Sequence, residues 1–226
     1  MIPTKLAFIF CFLVFTSIPE PGTLNNNSGA KQAATDWLLS SMPLTKNESD
    51  SILGNPQIVD GKYGKALRFN GETDGIFLNR MPLAGLDQFT IELIFCPESD
   101  GNFEQRFFHC GEIRGDRVLL ELRATETDWY LDAFIKSGDQ NATLIEPKFL
   151  HPLDQWYHLA YVVDHGKLTT YINGTKELEG QIVLTPLQAG KTSLGVRQNQ
   201  QSWFKGSIYK IRITPAALHV NDFIKQ

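Results

Sequence analysis

The chain has 226 residues, of which 42% are hydrophobic and 20% are charged, and its formal net charge is −4. This length predicts one domain with a sizeable core, because a chain of about 200 residues buries roughly 70% of the surface that its unfolded form exposes. The negative balance argues against a nucleic-acid-binding protein, which would need a basic face.

The first residues have the pattern of an export signal. One lysine precedes an unbroken apolar run at residues 6–15, and prolines follow at positions 19 and 21. The run is too short to cross a membrane, which takes about 20 apolar residues. We expect residues 1–22 to be a signal peptide, with a buried strand or an uncleaved anchor as the alternative. The mature protein would then have no membrane span and would be periplasmic, bound to the cell surface or extracellular.

Residues 23–54 read as a polar linker followed by an edge segment. The linker is rich in asparagine, and Trp37, Leu38 and Leu39 then form either a helical turn or a short edge strand. Residues 44–55 have the composition of a loop.

Short predicted strands fill the rest of the chain. They lie at residues 65–69, 75–78, 89–95, 106–110, 118–123, 129–136, 144–146, 156–163, 168–172, 182–184, 192–196 and 206–213. Turn signals about every 8–12 residues, with no long helix, predict an all-β sandwich or jelly roll. We expect residues 55–226 to form this one domain and a last helical turn to start near residue 215.

The clearest hairpin signals lie at residues 156–175. Residues 156–163 are rich in aromatic and β-branched side chains, which favour strands. A turn at residues 164–167 separates them from a second strand, which ends at Asn173-Gly174. This dipeptide is typical of tight hairpins because both residues tolerate positive φ.

The mature chain would hold two cysteines, Cys96 and Cys110. If residues 89–96 and 106–111 form a hairpin, Cys110 faces a residue near Glu92. A disulfide needs Cα atoms within about 7 Å, so this register predicts two free, partly buried thiols.

Four motifs together resemble a known family. In chain order they are GKYGKALRFNG with Asp74 at residues 61–74, FTIE at residues 89–92, the hairpin at residues 156–174, and SLG followed by FKGSI and IRI at residues 193–213. In this order they resemble the laminin-G-like, concanavalin A-like jelly-roll domains over residues 55–220. The resemblance implies two curved antiparallel sheets and, in many members, binding of carbohydrate or protein at the concave face or rim.

The same family suggests a calcium site, which this sequence does not match. Pentraxins and many laminin-G-type domains bind calcium at the rim, and the corresponding run here is GVRQN at residues 195–199. Arg197 stands where a carboxylate is needed, and a guanidinium cannot ligate a hard cation. Asp74 could ligate an ion elsewhere, but an aspartate that caps a turn explains it equally well. We therefore predict no metal and no cofactor.

Catalytic patterns of this fold are incomplete as well. Laminarinase-like glycosidases carry E-x-D-x-x-E on one strand, which aims two acids at one face, whereas EIRGD at residues 112–116 predicts a turn. Residues 121–123 and 134–138 resemble fragments of the alginate-lyase motifs, without the Q-x-H segment expected between them. We expect no catalytic residue, with a glycosidase or a polysaccharide lyase as the alternative.

Two polar segments are the best candidates for a binding site. The first is HCGEIRGDR at residues 109–117, which leads into the strand that holds Glu121, and the second is RQNQQSW at residues 197–203. Trp203 could stack on a sugar ring, and arginine and amide side chains could donate hydrogen bonds to hydroxyls or a carboxylate. The expected ligand-binding residues are Glu112, Arg114, Glu121, Trp129, Arg197, Gln198, Asn199 and Trp203.

Each of these residues also has a purely structural interpretation. Trp203 could pack at the end of the sandwich, and Arg197 could pair with Glu112 or Glu121. Trp129, a second candidate platform with Tyr130, could belong to the core. The triplet at residues 114–116, Arg-Gly-Asp, is better read as a solvated turn than as an adhesion motif.

The sequence thus predicts an exported, non-catalytic recognition module. Its most favoured partner is a polysaccharide or another glycan, bound at the concave face or the rim. A protein partner, in adhesion or in envelope structure, is the alternative partner, and no nucleic acid is expected.

Overall fold

The computed structural model describes residues 33–41 and 50–225, and they form a sandwich of two antiparallel sheets. The predicted signal peptide and most of the linker lie outside the described residues. The strands of the described part are β1 (Thr35–Leu38), β2 (Ser51–Leu53), β3 (Gln57–Gly61), β4 (Gly64–Asn70), β5 (Gly75–Leu78), β6 (Gln88–Pro97), β7 (Glu104–Gly111), β8 (Arg117–Ala124), β9 (Asp128–Ser137), β10 (Gln140–Ile145), β11 (His151–Pro152), β12 (Tyr157–Asp164), β13 (Lys167–Ile172), β14 (Thr175–Gln181), β15 (Lys191–Leu194) and β16 (Lys205–Thr214).

The two sheets have similar size. The first sheet runs β14-β13-β12-β6-β16-β4-β3, with β1 paired to β16, and the second runs β10-β9-β8-β7-β15-β5-β2, with β11 paired to β9. Two 3₁₀ helices, Leu39–Ser41 and Val220–Asp222, complete the described structure. No helix in the described ranges has the length and apolarity that crossing a membrane requires. The predicted all-β sandwich is confirmed.

Aromatic side chains fill the centre of the space between the sheets. Phe95 of the first sheet stacks on Phe107 of the second, with ring centroids 4.9 Å apart. Trp129 meets the Phe95 ring edge-on at 5.3 Å, and Phe204 closes the cluster from the loop before β16. All four side chains are fully buried, so they hold the two sheets at a fixed separation.

The hairpins at residues 156–175 form as predicted. His165 (φ 48°) and Gly166 (φ 92°) make the two-residue turn between β12 and β13. Asn173 (φ 50°) and Gly174 (φ 77°) make the next turn, from β13 into β14. The strand after this turn, β14, was not predicted, and residues 182–184, which were predicted as a strand, follow it without joining a sheet.

The predicted hairpin of residues 89–96 and 106–111 is wrong. β6 pairs with β12 and β16 in the first sheet, whereas β7 pairs with β8 and β15 in the second, so the connection between them crosses from one sheet to the other. Cys96 and Cys110 are nevertheless free and buried, as expected. Burial raises the pKa of each thiol to about 12.

The chain that follows β16 lies against the outer face of the first sheet. Thr90 of β6 donates to the Ala216 carbonyl (2.8 Å) and accepts from the Leu218 amide (2.9 Å). Phe223 packs on Tyr171, with ring centroids 5.2 Å apart. The helical turn predicted to start near residue 215 is shorter and starts later, as a 3₁₀ helix at Val220–Asp222. We call residues 215–224 the tail segment.

The N-terminal edge segment forms both of the structures that its sequence allowed, a short edge strand and a helical turn. Residues of β1 pair with β16, and the chain then makes one 3₁₀ turn at Leu39–Ser41. Trp37 and Leu39 are buried in the core, which explains why the local sequence is more apolar than a linker would be.

Candidate functional site

The outer face of the second sheet is charged because its strand β8 alternates strictly. Val118, Leu120 and Leu122 belong to the core. The residues between and beside them therefore point to the outer face, since successive side chains on a strand point to opposite sides. This outward row runs from Arg117 to Arg123 and has a leucine and a glutamate between the two arginines.

On the neighbouring strands, the side chains opposite these outward residues form rows that run across the sheet. The Cα register places Arg106 of β7 opposite Glu121 of β8, and Glu121 opposite Asp132 of β9. The next row consists of Leu119, Phe134 and Thr143. Opposed residues of antiparallel strands have Cβ atoms about 4.5–5.5 Å apart, so each row is continuous. One row is charged and the adjacent row is mainly apolar.

The charged row is held by a network of ion pairs. Arg106 Nε lies 2.6 Å from Glu121 Oε1 and its Nη1 lies 2.5 Å from Glu104 Oε1. Arg123 bridges three acids, with Nη1 3.2 Å from Glu121 Oε2, and Nη2 2.5 Å from Asp132 Oδ2 and 3.3 Å from Glu104 Oε2. Glu121 and Asp132 are almost fully buried. Both oxygens of Glu121 are therefore engaged by guanidinium groups.

The loop between β15 and β16, residues 195–204, covers one side of this face. The Arg106 amide donates to the Ser202 carbonyl (2.8 Å), and the Ser202 hydroxyl donates to Glu104 (2.7 Å). Gly195 starts the loop at φ 77°, and a Cβ there would lie 2.2 Å from the buried Phe69 ring. Only glycine fits both the backbone angle and the space. Arg197 extends from this loop over the sheet.

A buried histidine joins the two segments that the sequence singled out. The Gln198 amide donates to His109 Nδ1 (3.3 Å), and His109 Nε2 lies 3.1 Å from the Glu112 carbonyl, to which it donates. Burial is the main cause that lowers the pKa of His109 to about 4, so the ring is neutral at pH 7. The predicted proximity of the two segments is thus found in the structure.

These elements enclose a groove, which we call the arginine groove. Its volume is about 260 Å³, slightly below the ~300–1,000 Å³ of pockets that hold drug-sized ligands. Its lining residues are Arg106, Arg117, Leu119, Glu121, Arg123, Asp132, Phe134, Thr143 and Arg197.

Several polar atoms of the groove have no hydrogen-bond partner among the described residues. They are Nε of Arg117, Nε of Arg197 and Oδ1 of Asp132, all of them buried. Burial raises the pKa of Asp132 to about 6, although Arg123 acts in the opposite direction. Burial also lowers the pKa of both Arg117 and Arg197.

The structure places the predicted ligand-binding residues in different environments. Glu121 and Arg197 line the groove. Glu112 and Arg114 are exposed in the turn between β7 and β8, whose Ile113 carbonyl accepts from Arg197 Nη2 (3.1 Å). Arg197 thus pairs with neither glutamate that the sequence suggested.

The side-chain amides of Gln198 and Asn199 differ in their roles. Gln198 donates its side-chain NH₂ to the carbonyls of Gly111 (3.1 Å) and Lys191 (2.7 Å) and so fastens the loop to the sheet. Asn199 is exposed and donates to Gln201 Oε1 (2.9 Å). Gln198 therefore acts on the groove through the loop, and Asn199 is accessible to a ligand.

The two tryptophans also lie in different places. Trp203 is partly exposed and packs over Gly75, on the outer side of β5, two strands away from β7 at the edge of the groove. Trp129 is 0% exposed and lies between the sheets. A fully buried ring cannot stack on a ligand. Trp129 is therefore a core residue and not a binding platform.

Three of the four arginines that line the groove were not among the predicted ligand-binding residues. Arg106, Arg117 and Arg123 were noted only as parts of strands or segments. The available signal was the alternation of RVLLELR at residues 117–123, which puts two arginines and one glutamate on one face. Asp132 lies two residues after Tyr130, on the same face of β9, and has no catalytic or metal-binding motif around it in the sequence.

Asp74 has a structural partner for each carboxylate oxygen. Oδ1 accepts from the Asn55 amide (2.8 Å) and Oδ2 from the Asn70 amide (3.0 Å). It therefore caps the turn between β4 and β5, as one of its two readings predicted. Across residues 33–41 and 50–225, no group of three or more histidine, cysteine, aspartate or glutamate side chains is arranged to hold a metal ion.

Comparison with protein-family models assigns the fold. The model described as "Concanavalin A-like lectin/glucanases superfamily" matches residues 70–222. The chain belongs to this superfamily. The resemblance found in the sequence motifs is thereby confirmed. Among curated proteins, none matches the chain.

Solved structures of the concanavalin A-like type include several binding domains. Domain 4 of AbnA, an extracellular arabinanase from Geobacillus stearothermophilus in complex with arabinotriose, is 27% identical, with a TM-score of 0.60, and the match covers 76% of this chain and 84% of that one. The CBM40 of the Ruminococcus gnavus IT-sialidase, bound to α2,3-sialyllactose, is 18% identical, with a TM-score of 0.56, over 70% and 93% of the two chains.

A third neighbour is the binding domain of botulinum neurotoxin serotype D. It is 16% identical, with a TM-score of 0.61, and the match covers 85% of this chain and 49% of that one. At such identities the last two neighbours indicate a shared fold.

Proposed function

We propose that this protein is an exported, non-catalytic module that binds a glycan in the arginine groove. The observation that carries the proposal is a preformed concavity on an exposed sheet face, in which charged donors lie beside the apolar row of Leu119 and Phe134. Glycans present both hydroxyls and apolar ring faces, so this combination suits them. The complex of the 27%-identical arabinanase domain with arabinotriose supports a saccharide as the ligand class.

The proposed site keeps the candidates that the geometry allows. Glu121 and Arg197 belong to the groove itself, and Glu112 and Arg114 to the turn at one end. Trp203 lies outside the groove lining, at the far end of the same loop. Asn199 lies on the exposed loop above. A ligand longer than one sugar would extend from the groove along this loop toward the partly exposed Trp203 ring.

A catalytic function on the same fold has one observation in its favour. Glu121 and Asp132 are opposed on neighbouring strands, and the pKa of Asp132 is raised to about 6 by burial. Retaining glycosidases place two carboxyl groups about 5–5.5 Å apart, with one of them free to attack. Here Arg123 bonds both acids and Arg106 takes the other oxygen of Glu121. A carboxylate held in this way is a poor nucleophile, so binding without cleavage is the better proposal.

Incubation with a panel of polysaccharides separates the two functions. We expect no rise in reducing ends, and no unsaturated product, after prolonged incubation of the full-length protein at pH 5 to 8. The control is the Asp132→Asn variant, which should give the same baseline. Turnover by the parent that disappears in Asp132→Asn would show that the module is an enzyme.

Calorimetric titration with a glycan panel tests the location of the site. For a glycan that binds the parent, Phe134→Ala should weaken binding because it removes part of the apolar floor. Trp203→Ala should weaken it by about 3- to 10-fold if the chain of sugars reaches this ring, a range typical of one aromatic contact. The matched control is Phe103→Ala, an exposed phenylalanine (59%) outside the groove lining. Unchanged affinity in both Phe134→Ala and Trp203→Ala would show that the glycan binds at a different site.

A further inference from the structure

Two of the four arginines in the groove have no acidic partner. Arg106 and Arg123 form ion pairs with Glu104, Glu121 and Asp132. For Arg117 and Arg197, no carboxylate of the described residues lies within 4.0 Å, and each donates instead to a backbone carbonyl, that of Gly115 (2.7 Å) or Ile113 (3.1 Å). Half-buried guanidinium groups without a counterion are uncommon, because burying a charge is costly unless it is paired.

The unsatisfied atoms are on the same two side chains. The Nε groups of Arg117 and Arg197 are buried and have no hydrogen-bond partner among the described residues. Most buried polar atoms of folded proteins are satisfied by protein or by ordered water, so each such atom calls for an explanation. Both atoms belong to side chains that line the groove.

The two guanidinium groups are also fixed in position. Arg117 lies over the Phe134 ring, 4.8 Å from its centroid, and its Nη1 bonds the Gly115 carbonyl. Arg197 is anchored through Nη2 to the turn between β7 and β8. Side chains that are ordered before binding lose less entropy when a ligand arrives. The pair is therefore preorganised around the space between the apolar row and the loop.

The electrostatics of the groove favour an anion. Burial and then the charge of Arg197 are the first causes that lower the pKa of Arg117, which means that the positive form is disfavoured there. An oxyanion placed between the two guanidinium groups would relieve this repulsion. Guanidinium groups bind carboxylates and sulfates through paired N–H donors, in bonds about twice as strong as neutral ones.

We propose that the arginine groove binds an acidic saccharide, whose oxyanion substituent lies between Arg117 and Arg197 while its sugar ring packs against the partly exposed Phe134. This inference rests on the proposed glycan-binding function and narrows it to one ligand class. The chemistry shared by the candidate ligands is a monovalent oxyanion on a sugar ring, which is either a carboxylate or a sulfate.

The test is a titration of the full-length protein, at pH 7 and low salt, with matched pairs of ligands. The carboxylate arm compares trigalacturonate with its methyl ester, and 3′-sialyllactose with lactose. The sulfate arm compares a sulfated disaccharide with its desulfated form. We expect the acidic member of at least one pair to bind about 10-fold tighter or more than its neutral partner, as for loss of a charge-assisted hydrogen bond. The arm with the larger ratio identifies the oxyanion.

Variants decide whether the two arginines are responsible. Arg117→Ala and Arg197→Ala should each reduce the acidic preference about 10-fold, and the corresponding lysine variants should restore part of it, since lysine keeps the charge but not the paired donors. The control is Lys65→Ala, which removes one positive charge from an exposed side chain of the first sheet. Each variant is first shown to melt as the parent does.

The outcomes separate the two proposals. If neutral glycans bind as well as acidic ones, and the arginine variants leave binding unchanged, the acidic class is wrong while glycan binding stands. If an acidic preference persists in both alanine variants, the site is misplaced. If no glycan of either kind binds, both proposals fall together. Binding of inorganic sulfate alone, without any preference among the sugars, would also overturn the inference.

Discussion

Replacing Trp129 with alanine is expected to lower the free energy of unfolding by about 3–5 kcal/mol, the cost typical of removing a large aromatic side chain from a core. The ring is 0% exposed. It meets Phe95 at 5.3 Å and Tyr157 at 5.2 Å, and it lies 4.9 Å from the His151 ring. Its removal would leave a cavity where the two sheets meet, and neighbours fixed by their own packing can fill it only in part.

Chemical denaturation, followed by circular dichroism, measures this loss. The matched variant is Trp203→Ala, whose ring is partly exposed on the outer side of β5 and whose loss should cost clearly less. The comparison also separates the two roles that the sequence allowed for tryptophan in this chain. Equal stability losses in the two variants, or a Trp129→Ala protein as stable as the parent, would contradict the core assignment.

The Glu92→Gln substitution is expected to destabilise the protein by about 3 kcal/mol, near the lower end of the range for breaking a buried ion pair. Glu92 is 0% exposed on the outer side of β6. Its carboxylate lies 2.5 Å from Arg212 Nη2 and 3.0 Å from His158 Nε2, and it accepts from the Ile224 amide at 2.6 Å. The side chain therefore fastens the tail segment to the first sheet, and an amide cannot replace all of these bonds.

The same carboxylate predicts a pH dependence. Burial raises the pKa of Glu92, but the bonds from His158, the Ile224 amide and Arg212 together outweigh it, and the pKa is lower than the ordinary 4.5. A carboxyl whose pKa is lower in the folded chain stabilises the fold fully above its unfolded value, and this contribution disappears as the pH falls through the folded value. The stability difference between parent and Glu92→Gln should therefore be full at pH 7 and shrink in acid.

Thermal melting from pH 7 downward tests both statements. At pH 7 the variant should melt roughly 6–12 °C below the parent, given about 2–4 °C per kcal/mol for a domain of this size. The control is Glu179→Gln, whose side chain is 42% exposed and pairs with two exposed lysines, and which should melt close to the parent. A gap between parent and Glu92→Gln that widens in acid would show that the pKa is shifted in the other direction.

Much of the fold was predictable because it depends on local pattern. The strands with clear alternation or dense β-branched residues were located within two or three residues of their ends, and the Asn173-Gly174 turn was visible from the dipeptide alone. β3 and β14 were not predicted, because both strands are exposed over most of their length. Their polar residues obscure the alternation of apolar side chains that marks a strand. Edge strands carry less apolar signal than central ones.

Long-range pairing was the part that local pattern could not supply. Two strands joined by a short loop usually form a hairpin, and on that basis residues 89–96 and 106–111 were paired. In the structure the apolar sides of β6 and β7 face each other across the core, with Phe95 stacked on Phe107, so the loop joins different sheets. A strand with one apolar face can bury that face either in a hairpin or across the core from the other sheet. The sequence of the loop does not distinguish these two arrangements.

The candidate site was predictable only at the level of segments. The polar composition of residues 109–117 and 197–203 pointed to the correct regions, and His109 with Gln198 brings them together. The sequence could not show that Arg106 and Arg123 are paired with acids while Arg117 and Arg197 are not. That distinction depends on which side chains meet across strands, and it is the feature from which a ligand class follows.

The tail segment and the arginine groove lie on different sheets, which bears on how the molecule would bind a polymer. It covers part of the outer face of the first sheet, where Phe223, Ala160 and Val162 form a small separate core, while the arginine groove opens on the second sheet. On the proposed function, each arginine groove would engage one glycan segment. Several copies displayed together would then strengthen attachment to a polymer through valency.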